Sequence, residues 1–211
     1  MSGILKNIDN IIFDLGGVIL EIDLDIIKQG FISLGFNQME SGIELFKHNP
    51  IFQKFEKGEI EPQVFRNEIR KVCPKPFSDT QFDEVWNSVI IGYPNKNIQI
   101  LKELQKNYAT FLLSNTNEIH YDFYTELLKQ NFGIESLDAL FQKAYYSHTS
   151  GMRKPDKDIF EQVLSENSLK ASNTLFIDDF EENIETAKSL GIKTIHLTGF
   201  NLADALAQSF T

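Results

Sequence analysis

The sequence predicts an α/β fold in which a mainly parallel sheet is flanked by helices and an all-helical cap is inserted after the first strand. Three short apolar runs, residues 10–14, 110–113 and 174–177, have the length and composition of buried parallel strands. Residues 20–92, in contrast, contain helical periodicity and no convincing strand. Strands that alternate with helices indicate a parallel sheet, and the long helical interval indicates an insertion.

Each of the three apolar runs ends in polar residues. The first ends at Asp14 and continues into Gly16-Gly17, the second ends at Ser114-Asn115, and the third ends at Asp178-Asp179. Open parallel sheets bind their ligands at the carboxyl ends of the strands. We therefore expect these side chains to lie together at one edge of the sheet.

Helices and further strands complete the predicted core. Three stretches have a repeating apolar face that would pack on the sheet: Ile98, Leu101 and Leu104; Ile159, Phe160, Val163 and Leu164; and Ile184, Ala187 and Leu190. Short strands at residues 143–147 and 193–197 bring the sheet to about five strands. Residues 1–19 and 93–211 are thus predicted to form a Rossmann-like core, and residues 20–92 to form a cap over the strand ends.

The composition is that of a globular protein with one core. The chain has 211 residues, of which 42% are hydrophobic and 24% are charged, and its formal net charge is -10. The acidic charge argues against nucleic acid as a partner, and no apolar run is long enough to span a bilayer. The one cysteine, Cys73, leaves no intramolecular disulfide, and we expect a cytoplasmic protein by default.

The polar strand ends form an ordered set with Lys154, which lies in the loop sequence Gly151-Met152-Arg153-Lys154-Pro155. This ordered set resembles the four motifs of the haloacid dehalogenase superfamily. These motifs are a strand that ends in Asp before a glycine turn, a strand that ends in Ser or Thr, a Lys before a helix, and a paired acid after a strand. The resemblance extends over essentially the whole chain. It implies that the helical insertion is a cap of the superfamily's first type.

Within that superfamily, several stretches are similar to the branch that contains bacterial α-D-glucose-1-phosphate phosphatases and the phosphatase domain of epoxide hydrolases. These stretches are FDLGGVI, LLSNTN, SGMRKPD, FIDDFEENI and, within the cap, FEKGEI. The resemblance implies a magnesium-dependent phosphatase that acts on a small phosphate ester such as a sugar phosphate.

The resemblance and the chemistry of phosphoryl transfer assign expected roles. Asp14 would attack phosphorus and form an acyl phosphate, which splits hydrolysis into two steps. Mg²⁺ and Lys154 would neutralise the repulsion between the two anions. Because Mg²⁺ prefers hard oxygen ligands, the expected protein ligands are Asp14, the backbone carbonyl of Gly16 and Asp179, with Asp178 orienting a metal-bound water.

The phosphoryl oxygens would be bound beside the nucleophile. Ser114 and the backbone N–H of Asn115, which we expect at the start of the following helix, would donate hydrogen bonds to them. Gly16 is expected to line the same substrate site. Asn183, one helical turn beyond the acidic pair, would brace Asp179 or Lys154.

Each assignment has a structural alternative. Asp178 and Asp179 would also suit the cap of the helix that starts near Glu181. Lys154 would also suit a solvated loop, and Ser114 a turn. Two histidines are predicted to be structural rather than catalytic, and three phenylalanines to form the core of the cap rather than a sugar-stacking surface: His48 and His120, and Phe46, Phe52 and Phe55.

One position departs from the superfamily pattern. Its phosphatases commonly carry a second acid two residues after the nucleophile, which protonates the leaving alkoxide, and this chain has Gly16 there. General acid–base catalysis contributes about 10²- to 10⁴-fold. The glycine is therefore compatible with substrates that have good leaving groups, such as an anomeric sugar phosphate or an acyl phosphate. Otherwise the proton would come from water, from a cap residue such as Glu56 or His48, or from the substrate itself.

Two other functions remain open at this point. A 2-haloacid dehalogenase of the same superfamily also lacks the second acid but needs no metal, so the pair Asp178-Asp179 favours phosphoryl chemistry over carbon–halogen cleavage. The glycine at position 16 is also compatible with a catalytically silent member of the fold that binds a ligand without turning it over.

Overall fold

A five-stranded parallel sheet lies at the centre of the structure, a computed structural model that describes residues 5–36, 50–199 and 202–207. The strands of these ranges are β1 Asn10–Phe13, β2 Glu21–Ile22, β3 Ile90–Gly92, β4 Ala109–Ser114, β5 Lys143–Tyr146, β6 Thr174–Asp178 and β7 Lys193–His196. The order across the main sheet is β5-β4-β1-β6-β7, and all neighbouring pairs are parallel. The predicted parallel sheet is therefore confirmed.

The register of the sheet brings the ends of β1, β4 and β6 side by side. Phe13 pairs with Leu112 of β4 on one side and with Ile177 of β6 on the other. The backbone N–H of Asp14 donates to the carbonyl of Ile177 at 2.9 Å. The polar residues that follow these three buried strands consequently emerge at one edge of the sheet.

Helices pack on both faces of this sheet. In chain order they are α1 Leu24–Ser33, α2 Pro50–Glu56, α3 Pro62–Val72, α4 Asp79–Asn87, α5 Asn95–Leu104, α6 Glu118–Phe132, α7 Ser147–Ser150, α8 Lys157–Glu166, α9 Glu181–Ser189 and α10 Leu202–Ala207. Ile12 clusters with residues of α8 and α9, whereas its neighbours Ile11 and Phe13 cluster with residues of α5 and α6. Because successive strand residues point to opposite faces, both faces are covered.

The helical interval after β1 differs from the prediction in one detail. It begins and ends in a two-stranded antiparallel ribbon formed by β2 and β3. Strands of two and three residues are too short to produce an alternating pattern, which is why the sequence did not predict them. Helices α1 to α4 lie between these two strands, and residues 37–49 are outside the described part of the chain.

An aromatic cluster joins α2, α3 and α4. Phe65 stacks on Phe55 with ring centroids 4.2 Å apart, and it also contacts Phe52 and Trp86. Such pairs add about 0.5–1.5 kcal/mol each beyond the area they bury. Phe52 and Phe55 are both buried, so their predicted place in the core of the helical segment is confirmed, while Phe46 lies outside the described residues.

None of the described helices combines the length and the apolar composition that crossing a bilayer requires.

Candidate active site

Lys154 joins two carboxylates at the carboxyl edge of the sheet. Its Nζ lies 2.7 Å from Asp14 Oδ1 and 2.7 Å from Asp178 Oδ2. Lys154 is 1% exposed and Asp178 is fully buried. A buried ammonium needs such partners, so the alternative that Lys154 is a solvated loop residue is wrong. The structure thus brings residues from three separate motifs into one cluster.

Asp178 is held from several directions. The amide Nδ2 of Asn183 lies 3.0 Å from each of its carboxylate oxygens, and the backbone N–H of Phe180 donates to Oδ1 at 2.8 Å. The N-cap residue of α9 is Phe180, and the helix has no side-chain cap, so the alternative that Asp178 and Asp179 cap it is wrong. The expectation for Asn183 is corrected, because its amide contacts Asp178 and not Asp179 or Lys154. Since α9 starts at Glu181, its first turn places Asn183 beside Asp178.

Asp179 closely approaches the loop that follows β1. A Cβ atom on Gly17, whose φ is +73°, would lie 2.3 Å from Asp179 Oδ2, so any other residue there would have a strained backbone and would displace the Asp179 carboxylate. Asp14, Asp178 and Asp179 each offer a carboxylate oxygen, and these three atoms lie within 4.8 Å of one another. Three hard oxygen donors are a set that Mg²⁺ prefers, so the residues present fit this ion.

Asn115 links the loop after β4 to the loop that carries Lys154. The backbone N–H of Lys154 donates to Asn115 Oδ1 at 2.9 Å, and Asn115 Nδ2 donates to the carbonyl of Lys154 at 2.8 Å. The prediction that Asn115 starts the following helix is wrong. The helix begins at Glu118 with Asn117 as its N-cap, because Asn117 is the amide whose side chain accepts the N–H of His120.

Ser114 ends β4 and is 2% exposed, with its Oγ 3.5 Å from the carbonyl of Asn115. Its side chain is buried and does not belong to the wall of the cavity that contains Asp14. The same loop is anchored on its other side, where the N–H of Thr116 donates to Ser147 Oγ and that hydroxyl donates to the carbonyl of Thr116, both at 2.9 Å. The loop after β4 is therefore held at both ends.

Gly16, two residues after Asp14, lines the same cavity as Asp14. A Cβ atom at this position would meet only the side chain of Ile22, with Cδ1 at 3.6 Å, which is ordinary van der Waals contact. Its φ is outside the left-handed region. The backbone at position 16 would therefore accept a side chain, and neither its conformation nor its surroundings prevent an acidic residue there.

The cavity that contains Asp14 has a volume of about 400 Å³, and α2 contributes to its wall. Besides Asp14, Gly16 and Lys154, its wall includes Gln53, Glu56, Arg153, Glu182 and Asn183. Arg153 Nε lies 2.9 Å from Glu56 Oε2, and Lys57 pairs with Asp156 at 3.3 Å. The sequence pattern predicted no role for Arg153. Its position directly before Lys154 was the available signal.

The pKa of Asp14 is raised to about 7. Burial is the largest cause; the Lys154 ammonium acts against it, and the nearby Asp178 and Asp179 add to the rise. Burial also disfavours the charge on Lys154, but the two carboxylates it contacts raise its pKa above the ordinary value. A further cation beside these carboxylates would lower the pKa of Asp14 and favour its ionised form.

His120 packs as a structural residue, in line with its predicted role. Its ring stacks on Trp86 with centroids 4.9 Å apart, and its Nδ1 lies 2.9 Å from Asn87 Oδ1. Burial lowers the pKa of His120 to about 3, so the ring is neutral near pH 7. His48 lies outside the described residues.

The fold and the site together define a class of enzyme: a parallel α/β hydrolase with a buried aspartate–lysine–aspartate cluster at the strand ends. The family model of haloacid dehalogenase-like hydrolases matches residues 8–191. The chain belongs to this family, and it is a hydrolase.

Two relatives of this chain are phosphatases. A D-ribitol-5-phosphate phosphatase of Bacteroides thetaiotaomicron is 30% identical over 187 residues, which cover 89% of this chain and 90% of the relative. A sesquiterpene phosphatase of Aspergillus oryzae is 27% identical over 188 residues, which cover 89% of this chain and 88% of the relative.

A solved structure is also similar to this one. The magnesium complex of a HAD family enzyme from Bacteroides thetaiotaomicron has a TM-score of 0.86 and 33% identity, over 95% of this chain and 98% of that chain. The same enzyme in complex with magnesium and inorganic phosphate has a TM-score of 0.80 and 35% identity, over 91% of this chain and 95% of that chain.

Proposed function

We propose that the chain is a magnesium-dependent phosphatase that hydrolyses a small phosphorylated metabolite through an aspartyl-phosphate on Asp14. The observation that carries the proposal is the cluster of Asp14, Lys154 and Asp178, with Asp179 beside it, in a cavity to whose wall α2 contributes. The two phosphatases similar to this chain support the reaction class, and the one that acts on D-ribitol 5-phosphate supports a sugar or polyol phosphate as substrate.

Asp14 is the nucleophile of the proposed reaction. The carboxylate oxygen that is not bonded to Lys154 attacks phosphorus, the bond from phosphorus to the alcohol oxygen breaks, and the alcohol leaves with a proton. Water then attacks the phosphorus of the acyl phosphate, which releases inorganic phosphate and regenerates Asp14. Over the two steps, one water molecule is consumed for each ester bond broken.

Lys154 supplies fixed positive charge between the nucleophile and the phosphate oxygens. Its ammonium is oriented by Asp178 at 2.7 Å, and its backbone is held by the side chain of Asn115. We propose that these two neighbours position Lys154. We propose the backbone N–H of Asn115, a residue of the cavity wall, as a donor to the phosphate. The hydroxyl of Ser114 is the second proposed donor, and for this role it would have to turn from the carbonyl of Asn115 into the cavity.

Asp14, Asp179 and the backbone carbonyl of Gly16 would hold Mg²⁺, with Asp178 beside them. When bound, the ion would supply positive charge that offsets the repulsion between the carboxylates and the phosphate.

The proton for the leaving alcohol needs another source, because Gly16 has no side chain. Glu56 lies on the cavity wall, where its carboxylate already pairs with Arg153, so we propose that the proton comes from a water molecule that Glu56 holds in the cavity. Substrates with good leaving groups depend on this proton least.

We propose that residues 20–92 act as a cap over a core formed by residues 1–19 and 93–211. The ion pairs Glu56–Arg153 and Lys57–Asp156 support this position of the cap, because each joins the helical segment to the loop that carries Lys154. A cytoplasmic location stays a prediction.

The proposal is tested by measuring phosphate release from a panel of sugar, polyol and simple alkyl phosphates, with Mg²⁺ and with excess chelator. We expect Mg²⁺-dependent release that falls by at least about 10³-fold in Asp14→Asn protein. Asp158→Asn, which changes an exposed acid at the start of α8, is the matched control and should keep full activity.

Full activity in the Asp14→Asn variant, or in the presence of chelator, contradicts the proposal. Chloride release from a 2-haloacid without Mg²⁺ would favour the dehalogenase alternative. An absence of turnover on every ester would favour a silent member of the fold.

A further inference from the structure

A second cavity adjoins the one that contains Asp14. Its volume is about 190 Å³, and it lies where α1, α2 and α4 meet the loop after β4. Its wall consists mainly of apolar side chains: Leu24, Ile27, Phe52, Phe55, Trp86 and Val89. All of these are buried except Leu24, which is 41% exposed and marks the side that faces solvent.

The two cavities share part of their walls. Glu56, Asn115 and Arg153 line both of them. The ion pair between Glu56 and Arg153 therefore lies between the cavity that contains Asp14 and the apolar cavity. A phosphate ester with its phosphorus at Asp14 would have the apolar cavity within reach of its alcohol portion.

Polar groups on the wall of the apolar cavity are engaged within the protein. Trp86 Nε1 donates to Asn117 Oδ1 at 3.2 Å, and this oxygen also accepts the backbone N–H of His120. The His120 ring is bonded to Asn87 and is neutral near pH 7. A hydroxylated chain that entered this cavity would lose hydrogen bonds to water and find few groups on the wall to replace them. An apolar group would gain free energy by leaving water.

We infer that this cavity binds an apolar part of the leaving alcohol, so that the substrate is a phosphate monoester with an alkyl or aryl group of about six carbons. The size follows from the volume, because an apolar cavity of about 150 Å³ holds a benzene molecule. The inference rests on the proposed phosphatase function. It shifts the expected substrate from a fully hydroxylated sugar to an alcohol with an apolar portion.

Binding of phosphonates, which are not hydrolysed, tests the cavity without turnover. Calorimetry in the presence of Mg²⁺ would compare benzylphosphonate with ethylphosphonate. We expect benzylphosphonate to bind at least about tenfold more tightly, a ratio that burial of roughly two additional CH₂ groups provides. Equal affinities for the two phosphonates would overturn the inference.

A pair of variants on α1 assigns the preference to this cavity. Leu24→Trp places a large side chain in the wall and should reduce the benzyl-to-ethyl affinity ratio by about tenfold. Ile26→Trp is the matched control, because Ile26 is on the same helix, is 40% exposed and is not part of the wall. The inference fails if both variants change the ratio equally, or if neither changes it.

Turnover separates this inference from the proposed function. The values of kcat/KM for benzyl, ethyl, glycerol and ribitol phosphates should be highest for the benzyl ester. Higher values for the polyol esters would overturn the inference and leave the phosphatase function standing. If no ester releases phosphate while benzylphosphonate is still preferred in binding, the proposed function fails and the preference of the cavity stands.

Discussion

Replacing Lys154 by methionine would leave two buried carboxylates without their shared cation. The Nζ atom lies 2.7 Å from both Asp14 and Asp178, and methionine keeps much of the apolar stem while removing the charge. Breaking a buried ion pair by removing one partner costs about 3–5 kcal/mol. We therefore expect the free energy of unfolding of Lys154→Met protein to be about 4 kcal/mol lower at pH 8, in the absence of metal.

The cost depends on pH with a definite sign. Burial already raises the pKa of Asp14 to about 7, and loss of the Lys154 charge would raise it further. A carboxyl whose pKa is higher in the folded state contributes stability that is fully present below its unfolded pKa of about 3.9, and that stability is lost as the pH rises through the folded pKa. The cost of Lys154→Met should therefore be largest above pH 7 and smaller at pH 5.

Urea unfolding with chelator at pH 8 and pH 5 measures both effects. A second change, Asp178→Asn, removes one of the unpaired charges and should restore about 1–3 kcal/mol of the loss at pH 8. Lys188→Met is the control, because Lys188 forms an exposed pair with Glu185 and should cost no more than about 1 kcal/mol. A loss at pH 8 no larger than that of the control, or one independent of pH, would refute the reasoning.

Three further predictions concern single positions around the site. Gly16→Asp restores an acid where the backbone leaves room, so kcat on alkyl phosphates should rise by about 10²-fold, while Gly16→Asn should give no gain. Gly17→Ala and Gly133→Ala both place a side chain at positive φ and should each lose about 1–2 kcal/mol of stability, but only Gly17→Ala displaces Asp179 and weakens the activation by Mg²⁺. Between pH 7.5 and pH 5, wild-type protein should lose about 1–2 kcal/mol more unfolding free energy than His120→Gln, because the folded pKa of about 3 lies below the unfolded value of roughly 6.5 and the unfolded chain takes up the proton first.

Each of these three predictions has a contrary result. Steady-state kinetics that show equal kcat for the Asp and Asn variants at position 16 would exclude a role for the missing acid. Equal magnesium dependence of activity in the two alanine variants would mean that a side chain at position 17 does not displace Asp179. Parallel plots of unfolding free energy against pH would show that His120 is protonated as easily in the folded protein as in the unfolded chain.

The order of strands and helices was predictable because it depends on local periodicity. The apolar runs before Asp14, Ser114 and Asp178 are too short for helices and end in polar residues, and all three are strands of the sheet. The ribbon of β2 and β3 was not predicted, because two or three residues carry no period. The two strands lie at opposite ends of a long insertion, so their pairing is a tertiary contact that local periodicity does not indicate.

The details of the site depended more strongly on the tertiary structure. The sequence places Asn115 near the start of a helix, but three polar residues in a row offered several caps, and the observed N-cap is Asn117. Arg153 was passed over because its partner, Glu56, is almost 100 positions away in the sequence and meets it only when α2 lies over the strand ends.

By itself, the sequence determined that Asp14 ends a buried strand and that an acid pair, a serine and a lysine follow in a fixed order. Those features are local, since residue type and spacing decide them. Only the tertiary structure decided that Lys154 lies between Asp14 and Asp178, that Gly17 admits Asp179, and that an apolar cavity adjoins the site. The reason is physical: burial, pKa and cavity shape depend on which distant segments pack together, and local sequence periodicity does not contain that information.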